Sequence, residues 1–305
     1  MRRARMAFWR SIGVLCVAAC VAGGWAAAIA GAPQGGERRY AVFGIVVSVD
    51  REHGEFVASI REIPGFMDAM VMPFRVRDVH ALEELHTGEM VDFTLVVGRD
   101  ASWAEDIRQH VFENGEAEAQ EAERLSLLEK LNASKAEGRV LQPGDVVPDF
   151  SLTDQMGRQV RLSQFRGKVV ALTFMYTRCP LPDYCFRLNN NFGNVQRRFA
   201  SEMGKNLVLL SVSFDPEHDT PAVLREYAAT WKANPNGWHF LTGPLPEVKQ
   251  VCHEFDLNFW TSMGMITHTL HTVVLDRQGR VVANLEGNQF SAQQLGDLIE
   301  ATLKQ

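Results

Sequence analysis

V-V-A-L-T-F-M-Y-T-R-C-P-L-P-D-Y-C, residues 169–185, is the stretch on which the fold turns. Its first seven residues are an unbroken apolar run, of the length and character that fills a buried sheet. Two thiols follow where that strand ends, Cys179 and Cys185, with Pro180 and Pro182 between them. The prolines fix φ and stiffen the loop. A thiol between a strand and a helix N-terminus is also expected to have a lowered pKa. Two such thiols can bind a soft metal, cycle as dithiol and disulfide, or do both. Far downstream, His268 offers an imidazole, and two thiolates with one imidazole make a soft three-coordinate site.

Outward from this strand, residues 144–305 alternate between strand and helix patterns. Residues 207–214 read as a second buried strand and 221–231 as a helix. Residues 273–276 and 280–284 read as a hairpin around Gln278 and Gly279, and 291–303 as a closing helix. The expectation is a compact α/β domain. Cys252 lies on an apolar helical face and reads as a buried small hydrophobe.

Residues 40–100 differ. Short β-branched and apolar runs at 42–49, 55–60, 72–76 and 90–97 are separated by turn residues, the pattern of a small all-β barrel. Within it stands I-P-G-F-M-D-A-M-V-M-P-F, carrying Met67, Met70 and Met72. Met70 and Met72 share a strand face, because side chains alternate. Thioethers have no proton to lose and form no disulfide, which suits copper(I) or silver(I). Residues 101–143 read as an acidic linker holding a short amphipathic helix around Leu125, Leu128 and Leu131.

The first thirty residues hold four arginines and no acid, followed from Ser11 to Ala30 by small and apolar residues. This is an export signal or membrane anchor. Three fates are open: a lipid on Cys20 of V-A-A-C, cleavage after Ala28-Ile29-Ala30, or an uncleaved span. Each puts the domains outside the cytoplasm, on the periplasmic side of a bacterial membrane, with contact to that membrane through the N-terminus. In an oxidising compartment a structural disulfide is an alternative reading of Cys179 and Cys185. The formal net charge is −6, and past residue 30 it is 27 basic against 37 acidic side chains. With no basic stripe or stacking motif, nucleic acid is an unsuitable partner.

The stretch 147–179, V-P-D-F-S-L-T-D-Q-M-G-R-Q-V-R-L-S-Q-F-R-G-K-V-V-A-L-T-F-M-Y-T-R-C, resembles the opening of the Sco/SenC family, and the likeness extends over residues 144–305. The resemblance implies a thioredoxin-like fold and delivery of copper to the binuclear centre of cytochrome c oxidase. It implies Cys179, Cys185 and His268 as copper ligands, for Cu(I) or also Cu(II), with Asp215 of S-F-D-P as a supporting acid. Most members have three residues between the cysteines, and this chain has five. His271, a second histidine nearby, is the weaker candidate ligand. Residues 44–97 resemble the CusF family of periplasmic copper and silver binders, with Met70 and Met72 on that family's ligand methionines. Met67 stands in place of its capping tryptophan, and Ser59-Ile60-Arg61 where its ligand histidine would be.

Three functions are compatible with these residues: a non-enzymatic copper carrier for a copper-accepting protein, a thiol–disulfide oxidoreductase that keeps acceptor cysteines reduced, and a protein that sequesters copper. The oxidoreductase would use Cys179 and Cys185 as its redox pair and require a thiol reductant.

Overall fold

The computed structural model describes residues 37–111, 139–262 and 265–305. The export segment with Cys16 and Cys20, and the helix expected around Leu128, lie outside the described residues. Among the described residues no helix is long and apolar enough to cross a membrane.

Five antiparallel strands form the N-terminal sheet: β1 (Arg38–Asp50), β2 (Glu55–Ile60), β3 (Met70–Arg75), β4 (Met90–Val97) and β5 (Ser102–Gln109). Their order is β3-β2-β1-β4-β5, and the two outer strands meet through a bridge from Val76 to Ala104. Phe56, Phe74 and Phe93 fill the interior, with ring centroids 4.8–5.5 Å apart. β5 corrects the expectation that the linker begins at residue 101. Its sequence, S-W-A-E-D-I-R-Q, is as acidic as a linker because only Ala104 is buried. Its outward side chains are tied instead to two arginines of the same unit, Glu105 to Arg39 of β1 at 2.6 Å and Trp103 beneath the guanidinium of Arg77, just past β3, at 3.7 Å.

The second sheet has seven strands: β6 (Ser151–Asp154), β7 (Gln159–Arg161), β8 (Val169–Met175), β9 (Leu207–Ser213), β10 (Trp238–Thr242), β13 (His271–Leu275) and β14 (Val281–Glu286). A separate hairpin pairs β11 (Phe259–Ser262) with β12 (Met265–His268). The order in the large sheet is β14-β13-β8-β9-β10-β6-β7, with β8, β9 and β10 parallel. Every residue of β8, β9 and β10 is buried, which explains their mostly apolar sequences: parallel strands are covered on both faces. The helices are α1 (Arg187–Arg198), α2 (Pro221–Thr230), α3 (Leu245–Glu254) and α4 (Ala292–Leu303). Thr220 caps α2 and Ser291 caps α4, the latter in a reciprocal box with Gln294. This is the thioredoxin-like arrangement expected. In sheets of this kind ligand sites form outside the carboxyl ends of the parallel strands, where the cysteine loop and Asp215 lie.

The two sheets share a core. Ile45 and Met90 of the N-terminal sheet belong to the same buried apolar cluster as the large sheet, with Phe43 packed against it. The barrel is therefore docked on the C-terminal unit. At one point the backbones nearly touch: Gly88, at φ +88°, has no room for a side chain, because a Cβ would lie 2.3 Å from that of Ala283 on β14.

Candidate metal centre

β8 delivers Tyr176, Thr177 and Arg178 to the mouth of the sheet, and the loop then carries Cys179 outward. A wide helical turn, Pro182–Phe186, brings Cys185 back before α1 begins. The turn is not regular: Tyr184 has φ −104° and ψ −111°, which kinks it before α1. Cys185 ends fully buried, whereas Cys179 is half-buried, and neither is in a disulfide.

The β11–β12 hairpin brings His268 to these sulfurs. Cys185 Sγ lies 3.8 Å from His268 Nε2, and the three ligand atoms of Cys179, Cys185 and His268 all fall within 4.8 Å of one another. His268 Nδ1 lies 2.8 Å from the Thr269 carbonyl oxygen. A carbonyl only accepts, so Nδ1 carries the hydrogen and Nε2 presents its lone pair to the sulfurs. The imidazole is held by rings: Phe214 at 4.7 Å, Tyr176 edge-on at 5.8 Å and Tyr184 at 6.4 Å.

The thiols divide one proton unequally. A hydrogen bond from Cys185 lowers the pKa of Cys179 to about 4, against the opposing effect of burial. Cys185 moves the other way, because it donates to Cys179 and is buried. The lowering expected from the helix N-terminus is thus not the main cause. Cys185, the thiol beside α1, is the one that keeps its proton. Two sulfurs, one already ionised, and an imidazole with a free Nε2 are a donor set that fits copper(I).

Asp215 stands beside the trio. Its Oδ2 accepts from Arg178 Nη2 at 2.7 Å and Nε at 3.1 Å, and its Oδ1 lies 3.0 Å from His218 Nδ1. It steadies the residue before Cys179. A second acid does more for the loop. Asp219, fully buried, accepts from the Thr177 amide at 3.0 Å, from the Thr177 hydroxyl and from Ser213. The sequence singled out Asp215 as the supporting acid and not Asp219. The D-x-x-x-D spacing after a buried strand was the available signal. The aromatic wall around His268 was equally unseen, since Phe214 and Tyr184 come from separate loops.

His271 lies outside the trio. It is buried in β13, its Nδ1 3.0 Å from Asn284 Oδ1, and burial lowers its pKa. Cys252 is buried in α3, as expected, and burial alone raises its pKa. The methionines belong to the barrel. Along the inward face of β3, exposure rises from buried Phe74 through half-buried Met72 to Met70 at 39%. Met67 folds back to pair with Ile63, and with Met72 it packs on the barrel core. The thioethers therefore stand toward one mouth of the barrel.

Two family models match successive parts of the chain. The SCO1/SenC family model matches residues 139–304, and that of "Copper binding periplasmic protein CusF" matches residues 39–109. "Protein SCO1, mitochondrial" of Saccharomyces cerevisiae is 26% identical over 212 residues, 67% of this chain and 64% of the yeast protein. The "SCO1 protein homolog" of Bacillus subtilis is 30% identical over 97 residues, 32% of this chain and 49% of that protein. The chain thus spans less than two thirds of the length of these relatives. Among solved structures, Bradyrhizobium japonicum ScoI with copper bound is 25% identical, with a TM-score of 0.45, covering 52% of this chain and 99% of that one. Apo Sco1 from Thermus thermophilus is 29% identical, with a TM-score of 0.42, covering 54% and 93%.

Proposed function

This chain belongs to the SCO1/SenC family, and on that footing we propose that it is an exported copper(I) carrier that passes its metal to a copper-accepting protein. The family's association points to the binuclear centre of a cytochrome c oxidase as that acceptor. The observation that carries this reading is the convergence of the ligand atoms of Cys179, Cys185 and His268 within 4.8 Å. The metal is cargo. Cys179 meets it as a thiolate, Cys185 gives up its proton to water as its sulfur joins, and His268 Nε2 closes the third side. Asp219 and Asp215 keep the loop in place while the ligands change. Arrival by ligand exchange needs no covalent catalysis. The N-terminal segment and the CusF match support a periplasmic setting, with the chain anchored by lipid on Cys20, anchored by an uncleaved segment, or released near Ala30.

A second reading is kept open by one observation, the low pKa of Cys179, which also suits an attacking thiolate in disulfide exchange. His268 separates the two, because copper binding uses it and dithiol exchange does not. The experiment is an anaerobic copper(I) titration of wild type, His268→Ala and Cys179→Ser. Metal bound at the C-terminal site with free thiols, weakened at least roughly tenfold in both variants, supports the carrier. Affinity there that is untouched by His268→Ala would overturn it.

A further inference from the structure

The residues standing where the CusF pattern would have its ligand histidine are those that fasten the barrel down. The outward face of β2 rests on α4. Ser59, fully buried, donates through its hydroxyl to Asp297 Oδ2 at 2.6 Å, and its carbonyl accepts from Gln294 Nε2 at 3.0 Å. Arg61 donates to the Gln289 carbonyl, its guanidinium 4.1 Å from the centre of the Phe43 ring. The segment just before and at the start of α4 also holds the backbone beside both candidate sites. Gln293 Nε2 donates at 3.1 Å to the carbonyl of Ala69, the residue before Met70. Asn288 Nδ2 donates to the carbonyl of Asp183, inside the cysteine loop. The strap of residues 288–293 extends no more than about 18 Å.

We propose that the barrel is the donor half of a fixed intramolecular copper relay. Met67, Met70 and Met72 take up copper(I) and pass it to Cys179, Cys185 and His268 of the same molecule, with residues 288–293 holding the two sites in register. The relay rests on the reading of the cysteine–histidine trio as a copper site. The chemistry balances without a redox partner: copper stays copper(I), its thioether bonds break, two thiolate bonds and one imidazole bond form, and the proton held between the cysteines goes to water. Neutral thioethers without a fourth ligand hold copper(I) less tightly than an anionic sulfur pair, so transfer runs toward the cysteines. Docking fixes the local concentration of donor at acceptor, so the step is first order.

The test uses the full mature chain, reduced and anaerobic, with copper(I) supplied from an excess of a weak chromogenic chelator. Stopped flow follows the near-ultraviolet thiolate-to-copper absorption as the cysteine site fills. Three proteins are compared: wild type, Met70→Leu with Met72→Leu, and Asn288→Ala with Gln293→Ala. Leucine conserves the packing of partly exposed methionines, and unfolding curves confirm that each variant is folded. Wild type is expected to fill in a phase independent of protein concentration. Both variants should reach the same final absorption at least about tenfold more slowly. Equal rates in wild type and the methionine variant, with the cysteine site filled, would overturn the relay and leave the carrier reading intact. Failure of wild type to develop any thiolate–copper absorption would overturn both.

Discussion

At Cys179 the sulfur accepts a hydrogen bond from the Cys185 thiol, and that one contact decides which of two identical side chains is ionised. The sign is definite. A thiol lowered to about 4 stays a thiolate at every pH above that value, and reactivity falls only as pH drops through it. Iodoacetamide on the reduced, metal-free protein at pH 6 should modify Cys179 at least roughly tenfold faster than Cys185 or Cys252, as mapped by mass spectrometry. A rate for Cys179 that keeps climbing up to pH 9, the ordinary thiol value, would show that the hydrogen bond is absent. His268 is oriented by a neighbouring contact as well. The Thr269 carbonyl takes the Nδ1 hydrogen, whereas His271, three residues on, is turned into β13 against Asn284.

Among the elements, β8 and β5 are opposite cases. β8 is buried along its whole length, so its composition alone declares it. β5 is largely exposed and charged, and only its pairing with β4 and the Val76–Ala104 bridge makes it a strand. Ala104→Asp would place a carboxylate without a partner at this seam, which should cost about 3–5 kcal/mol by chemical denaturation. In a solvated linker the same change would stay within about 0.5 kcal/mol, and that result would remove β5 from the barrel. The loop after β8 depends on a neighbouring element too. Asp219, beyond β9, holds the Thr177 amide and hydroxyl, so the cysteine loop starts from a pinned backbone.

For the whole molecule, the barrel and the large sheet are one packed body, joined through Ile45, Met90 and the α4 contacts. A shared core makes unfolding cooperative, and calorimetry of the wild type should show one transition for residues 37–305. Gly88 tests the joint. Gly88→Val combines a left-handed backbone at φ +88° with a Cβ that would meet Ala283, so strain alone should cost about 1–3 kcal/mol. The barrel is then expected to separate, and the single endotherm to split in two. An unchanged single endotherm in Gly88→Val would mean the two units do not touch there. Docking also gives the CusF departures a physical reason: Ser59 bonds to α4, and Arg61 to the Gln289 carbonyl just before it.

What the sequence by itself determined was carried by local composition and period: the buried strand before Cys179, the alternation that puts Met70 and Met72 on one face, the closing helix and the buried Cys252. Cys179 and Cys185 were also visible as residues, because two thiols at the exit of a buried strand stand out, and His268 through the resemblance to the Sco/SenC family. Only the tertiary structure decided how those donors converge, which thiol keeps its proton, which acid pins the loop and that the barrel sits on α4. Each depends on contacts between residues far apart in the chain, such as Ser59 with Asp297 or Cys185 with His268. Ionisation and docking are set by what surrounds a side chain after folding, and its neighbours in sequence do not specify that surrounding.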